Sequence, residues 1–143
     1  MLSILHPNTE EETQQAERGL HAAWWALRLA IGLTALLAGL DKFFNFLTEW
    51  SMYLAPWVEK HSPLAADTLM RAVGVVEIAA GVLVLSASVR VGAYAVAGWL
   101  TLVAFQLMTT GAFLDLATRD LVIAIAAFTL AKLTEWREAE LTA

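Results

Sequence analysis

The chain has 143 residues, of which 59% are apolar and only 16% charged, and its formal net charge is −5. Soluble domains carry about 25% charged residues, so this chain has too few polar residues to cover a water-facing surface. It contains no cysteine, which excludes disulfides, thiolate metal sites and thiol redox chemistry. The acidic balance indicates no nucleic-acid partner. We therefore expect an all-α polytopic membrane protein in contact with a lipid bilayer.

The apolar residues fall into four blocks that follow an acidic polar arm, residues 1–20. This arm lacks the basic region of a secretory signal, so we expect the first helix to remain as an anchor. About 20 helical residues cross the roughly 30 Å hydrocarbon layer. On that basis the expected spans are 21–40, 69–89, 91–114 and 120–136. The last reaches spanning length only if its end lies at the interface. We predict an antiparallel four-helix transmembrane domain over 21–136 and a polar tail over 137–143.

An aromatic segment, residues 43–57, separates the first two spans. Its large apolar residues recur at spacings of four and three, which predicts one amphipathic helix in the headgroup region that ends near Pro56. The residues with this spacing are Phe43, Leu47, Trp50, Leu54 and Trp57, and the aromatic residues of the segment are Phe43, Trp50, Tyr53 and Trp57. The segment is either a gate for a lipid-soluble ligand or an anchor for the loop.

Small residues form stripes at helical spacing on three of the spans. Close approach of helix backbones at such stripes is a main source of association energy in lipid. We expect these faces to point into the bundle, together with the charged residues that they carry. The stripes are Gly32, Ala35 and Gly39 on the first span; Gly74 and Gly81 on the second; and Ala124, Ala127 and Ala131 on the fourth, where Asp120 and Thr134 extend the stripe.

Glu77 is the only charged residue between Arg71 and Arg90. A carboxylate at this depth costs about 2.5–3.5 kcal/mol on insertion scales, so it needs a partner, a wet cavity or a proton. The estimated depths of the residues suggest an internal Arg28–Glu77 ion pair, with Lys42 at the outer end of the first span.

Gln106 would lie about one turn from Glu77. The candidate intramembrane polar site is therefore Arg28, Lys42, Glu77 and Gln106. This group either fixes the helix register as a structural ion pair or binds a polar head group or a quinone, with a possible role in proton transfer. The sequence contains no nucleophile elbow, phosphate-binding loop or paired-carboxylate hydrolase motif, and it identifies no catalytic residue. The three histidines, His6, His21 and His61, are scattered, so we expect no metal site.

Three segments carry a family resemblance. The first helix, 28-RLAIGLTALLAGLDKF-43, resembles the opening of the DoxX-like family of small four-helix membrane proteins. The segments 74-GVVEIAAGVLVL-85 and 119-RDLVIAIAAF-128 resemble its second and closing helices. The resemblance covers roughly residues 22–133. Many relatives have a histidine late in the third helix, where this chain has Gln106 and Thr109.

The resemblance implies a role beside a redox or electron-transfer complex, because some relatives are small subunits of thiosulfate:quinone oxidoreductase. Arg28, Lys42 and Glu77 are the family-like polar positions. One hypothesis is a non-catalytic accessory subunit of a larger membrane complex. The alternative is a small quinone-linked oxidoreductase subunit with Glu77 as proton relay, and a membrane chaperone or transporter-like protein is a third option. The candidate ligands are a quinone and a bound lipid.

The charges in the loops give only a slight positive-inside bias. They favour both termini in the cytoplasm, with the bacterial inner membrane as the expected location. The chain is expected to join a larger complex or to form a homo-oligomer.

Overall fold

The computed structural model describes residues 9–143. Four long helices make up most of this part of the chain, and a 3₁₀ turn, Trp50–Tyr53, and a short helix, α2 (Pro56–His61), lie between the first two. No strand occurs within the described range. The long helices are α1 (Thr9–Phe44), α3 (Ala66–Leu85), α4 (Val89–Thr110) and α5 (Leu114–Thr142). Of the predicted acidic arm, residues 9–20 form the beginning of α1, and residues 1–8 lie outside the described residues.

The four long helices pack in a ring in which α1 contacts α3, α3 contacts α4, α4 contacts α5, and α5 contacts α1. Consecutive long helices are antiparallel. Short connections, 86–88 and 111–113, join α3 to α4 and α4 to α5, and Gly39 and Gly32 of α1 lie against Gly74 and Gly81 of α3. Within residues 9–143, three helices are long and apolar enough to cross a membrane, namely α1, α3 and α4. Helix α5 is not one of them. Its uncharged stretch between Asp120 and Lys132 covers only about 18 Å at 1.5 Å per residue.

Glycines bring α1 and α3 into backbone contact. A Cβ added to Gly39 would lie 2.7 Å from the carbonyl oxygen of Gly74, and a Cβ on Gly81 would lie 2.9 Å from that of Gly32. Real Cβ atoms do not approach this closely, so any side chain at these positions would push the helices apart. The predicted small-residue faces of these two helices are confirmed. The face of α5 also points inward, where Ala127 and Ala131 are fully buried.

The prediction of one interfacial helix over 43–57 is wrong. Helix α1 continues to Phe44, and Asn45 then takes a left-handed conformation with φ 50°. Asparagine tolerates this conformation and commonly ends helices in this way. Pro56 begins α2 instead of ending a helix, because its missing N–H is not needed in the first turn. The apolar spacing therefore runs across three separate pieces of structure.

Candidate intramembrane polar site

Lys42 and Glu77 form a buried ion pair between α1 and α3. The Nζ of Lys42 lies 2.6 Å from Oε2 of Glu77, and the two side chains are only 5% and 10% exposed. The same Nζ lies 3.5 Å from the carbonyl oxygen of Ala38, a weaker contact. We call the end of the bundle that holds this pair the Lys42 end. It contains the C-terminus of α1 and the N-terminus of α3.

The predicted Arg28–Glu77 pair is wrong, and the direction of helical side chains explains why. A side chain on an α-helix leans toward the N-terminus of its own helix. Because α1 and α3 are antiparallel, Lys42 and Glu77 lean toward each other, whereas Arg28 and Glu77 lean apart. The prediction of an Arg28–Glu77 pair used only the heights of the Cα atoms along the helices, which do not include the direction of the side chains.

Arg28 instead binds the C-terminus of α3. Its Nε donates to the carbonyl of Val84 at 3.0 Å, and its Nη2 donates to the carbonyls of Leu85 and Ser86 at 2.8 and 2.7 Å. The last carbonyls of a helix lack partners within the helix and carry partial negative charge. Arg28 satisfies them and marks the opposite end of the bundle, which we call the Arg28 end.

Two residues of α4 and α5 complete the surroundings of the ion pair. The carboxylate of Asp120 is buried and close enough to interact electrostatically with both Lys42 and Glu77. Asp120 also contacts the largely exposed Arg119, at 3.3 Å. The buried Nε1 of Trp99 lies close enough to the Glu77 carboxylate for a weak hydrogen bond, although it makes none of standard geometry with any described residue. We call Lys42, Glu77, Trp99 and Asp120 the polar cluster.

Trp50 covers the polar cluster at the Lys42 end. Its ring centroid lies 3.7 Å from Nζ of Lys42, within range of a cation–π interaction. Its indole Nε1 donates to Oδ2 of Asp41 at 2.7 Å. Asp41 also accepts hydrogen bonds from the backbone N–H groups of Phe46 and Leu47. Asp41 thus fixes both the turn after α1 and the indole that lies over Lys42.

Gln106 holds the loop and does not join the polar cluster. Its Oε1 accepts from the N–H of Ala55 at 3.1 Å, and its Nε2 donates to the carbonyl of Tyr53 at 3.0 Å. An amide side chain that bonds a backbone in both directions fixes the position of that segment. The sequence predicted a polar role for Gln106 at this end, but its hydrogen bonds are structural.

The other aromatic residues of the predicted segment differ in their surroundings. Tyr53 is half-buried and packs edge to face against Phe113, with ring centroids 4.9 Å apart. Trp57 is more exposed and donates through Nε1 to Oγ1 of Thr109 at 2.8 Å. Phe43, at the end of α1, remains largely exposed. The segment therefore combines residues that pack on the bundle with residues that face the surroundings.

An apolar groove of about 600 Å³ opens between α3 and α4. Small residues make the groove possible, since a Cβ added to Gly98 would meet nothing within 4 Å. Trp99 lines the groove and also lies beside Glu77, so its indole separates the groove from the polar cluster. The remaining lining residues are Val75, Val76, Ala79, Ala80, Leu83, Ala95 and Leu102.

The polar cluster offers hydrogen-bond donors and a proton-accepting group in a buried place. Trp99 has an N–H that makes no hydrogen bond of standard geometry, Lys42 carries three N–H donors, and Glu77 can take or release a proton. A ligand that suits this set has a carbonyl or another polar oxygen on an apolar body. Among residues 9–143, no group of three or more histidine, aspartate or glutamate side chains is placed to hold a metal ion.

Sequence reasoning named Lys42 and Glu77 but not their remaining neighbours. Asp120 was on the inward stripe of the fourth span, and this signal could have brought it into the site. Trp99 gave no such signal, because an indole in an apolar helix is ordinarily interpreted as packing. Arg28 and Gln106 make no hydrogen bond to Glu77. Arg28 binds the C-terminus of α3, and Gln106 binds the loop.

Apolar helices of spanning length and charges turned into the bundle define a helical integral membrane protein. The chain belongs to the DoxX family, whose model matches residues 23–110. This match covers α1 from residue 23 onward and all of α3 and α4. It confirms the resemblance there, whereas the predicted similarity of the closing helix lies outside the matched range. Comparison with curated proteins and with solved structures gave no match.

Proposed function

We propose that this DoxX protein binds a quinone-like molecule from the bilayer at the polar cluster and serves as an accessory subunit of a redox complex. The observation that carries the proposal is the position of Trp99, between the apolar groove and the buried Lys42–Glu77 pair. A quinone has an apolar tail and a head with carbonyl oxygens. The tail suits the groove, and the head suits the indole N–H of Trp99 and the ammonium of Lys42.

A bound quinone supplies redox chemistry, and the residues of this chain would hold its head and handle a proton. Trp99 would donate to one carbonyl oxygen once its indole turns from its present position toward the ligand. Glu77, which keeps its contact with Lys42, would give or take the proton that accompanies a change in the head's charge. The electrons would come from a partner, since the chain has no cysteine for an iron–sulfur cluster.

The proposal includes a membrane arrangement. Helix α5 would complete a four-span bundle with its end at the interface, and Lys132 would extend its ammonium toward water. The segment from Trp50 to His61 would lie in the headgroup region at the Lys42 end. Both termini would face the cytoplasm, in the inner membrane of a bacterium. A homo-oligomer is the alternative to a larger complex.

The binding step is tested with a short-tailed quinone and purified protein in detergent. Trp99→Phe keeps the ring and removes the N–H, so we expect binding about threefold to tenfold weaker, as for loss of one hydrogen bond. Trp136→Phe is the matched control, because Trp136 lies at the exposed end of α5. Equal affinity of the Trp99→Phe variant and the unaltered protein would contradict the proposal.

The groove is tested separately. A Cβ at Gly98 meets nothing within 4 Å, so Gly98→Leu can place a side chain into the groove, and it should abolish the dependence of affinity on tail length. Gly19→Leu is the control, since Gly19 also has open space around its Cβ but lies near the beginning of α1. If the Gly98→Leu variant still binds long-tailed quinones more tightly than short-tailed ones, the tail does not lie in this groove.

The accessory role has its own test. Membranes solubilised in a mild detergent should yield this chain together with a larger redox partner. Migration as a lone monomer would count against the complex, and migration as a defined multimer of this chain alone would favour the homo-oligomer. Neither result depends on whether the quinone binds.

The small quinone-linked oxidoreductase is the second candidate function. Glu77 favours this second function, because its buried carboxylate contacts Lys42 and lies beside Trp99. Glu77→Gln should then retain quinone binding and lose turnover in the reconstituted complex. Unchanged turnover in this variant would leave Glu77 with a structural role only.

A further inference from the structure

At the Arg28 end of the bundle, two arginine side chains pack against one indole ring, that of Trp24. The guanidinium carbon of Arg137 lies 4.0 Å from the Trp24 ring centroid, and that of Arg28 lies 5.0 Å from it. Trp24 is fixed in place, since it is buried and its Nε1 donates to Oγ1 of Thr134 at 2.8 Å. Trp25 adds a second ring, 4.8 Å from Arg28. Two positive charges are therefore held near one rigid aromatic wall.

Neither arginine has a carboxylate partner within residues 9–143. The nearby acidic residues of α5 bind other groups instead, chiefly on α4. Glu135 accepts from the hydroxyl of Tyr94 at 2.6 Å and contacts Lys132, and Glu138 pairs with Arg90 at 2.8 Å. Residues 1–8 contain no aspartate or glutamate in their sequence. The two guanidinium charges are thus left without a compensating anion from the chain.

Each of these two arginines also has an N–H donor group without an acceptor among the described residues. Nη1 of Arg137 is buried and has no hydrogen-bond partner in the described part of the chain. Leaving a buried charged donor unpaired is costly. The three bonds of Arg28 come from Nε and Nη2, so its Nη1 is available to a further acceptor. An anion that reaches both side chains would satisfy both.

From these contacts we infer that Arg28 and Arg137 form a binding site for a phosphate group at the Arg28 end. Guanidinium groups bind phosphate through paired, charge-assisted hydrogen bonds. Tryptophans at the end of membrane helices lie at the level of the lipid headgroups, and basic pockets between spanning helices bind anionic headgroups. The phosphate can belong to an anionic phospholipid or be free. This site is about 21 Å along α1 from Lys42 and is independent of the quinone proposal.

The test measures binding to the detergent-purified full chain by native mass spectrometry and by the shift in unfolding temperature. The probes are phosphatidylglycerol, phosphatidylcholine and inorganic phosphate. We expect phosphatidylglycerol to bind and to raise the unfolding temperature, and Arg137→Gln to weaken that binding about tenfold or more. Arg71→Gln is the matched control, because Arg71 is exposed near the beginning of α3, at the other end of the bundle. It should leave the binding unchanged.

The outcomes separate the two sources of phosphate. An effect of phosphatidylglycerol alone identifies a lipid site, and an equal effect of inorganic phosphate identifies a site for the free ion; both support the inference if Arg137→Gln removes them. Retention of binding in Arg137→Gln would overturn it, as would equal binding of phosphatidylcholine. If Arg137→Gln fails to fold, Arg137→Lys keeps the charge and loses the paired geometry. Unchanged phosphatidylglycerol affinity in that variant would then refute the paired guanidinium site.

Discussion

Replacement of Glu77 by leucine should strongly destabilise the bundle. The change leaves the ammonium of Lys42 buried without its ion-pair partner. Its remaining contacts are the 3.5 Å approach to the carbonyl of Ala38, the Trp50 ring at 3.7 Å and the nearby charge of Asp120. Removing one partner of a buried pair typically costs about 3–5 kcal/mol, which is a large part of the roughly 5–15 kcal/mol that stabilises a domain. Lys42→Met should cost a similar amount, because it leaves the carboxylates of Glu77 and Asp120 facing each other.

The double variant Lys42→Met with Glu77→Leu should recover most of the stability, since an apolar pair of similar volume replaces the ions. Reversible unfolding in mixed micelles, followed by circular dichroism, gives the four free energies of the double-mutant cycle. We expect a coupling of at least about 3 kcal/mol. The exposed pair Arg90–Glu138 is the control, with an expected coupling below about 1 kcal/mol. Single costs that simply add in the double variant would refute the assignment of this pair.

Further predictions concern the cap, the glycine contact and the loop. Arg28→Met should lower the free energy of unfolding by about 1.5–3 kcal/mol, because carbonyls at the end of α3 lose charged donors; Arg28→Lys should restore part of it in the same assay. Gly74→Ala should cost about 1–3 kcal/mol through the clash with the Gly39 carbonyl, whereas Gly98→Ala, in open space, should stabilise by up to about 1 kcal/mol. Gln106→Leu should release the loop and speed tryptic cleavage after Lys60, and an unchanged cleavage rate would show that other contacts hold the loop.

The inward faces of the helices could be predicted because they depend only on spacing. Gly74, Glu77 and Gly81 share one face of an α-helix in any packing, and their burial follows once small and charged residues are taken as inward. The same rule placed Asp120 and Ala127 on an inner face. The partners of these residues could not be obtained in this way, because pairing depends on rotation about each helix axis and on side-chain lean. For that reason the partner of Glu77 is Lys42 and not the predicted Arg28.

The loop between α1 and α3 shows a different limit. The apolar spacing from Phe43 to Trp57 is helical throughout, but one left-handed residue, Asn45, ends the helix and redirects the chain. That turn is stabilised by side-chain hydrogen bonds of Asp41, which accepts from the backbone after the turn and from the indole of Trp50. Periodicity contains no information about such contacts. Trp99 was missed for a similar reason, since its importance comes from what lies on either side of its ring.

The polar cluster draws its members from two different halves of the molecule. Lys42 and Glu77 belong to the pair α1–α3, which glycine contacts lock together, whereas Trp99 and Asp120 belong to the pair α4–α5. The groove opens along the seam between these halves, and the three residues 86–88 are the direct link across it. A molecule bound at the cluster would therefore contact both helix pairs at once, at the place where their shared core ends.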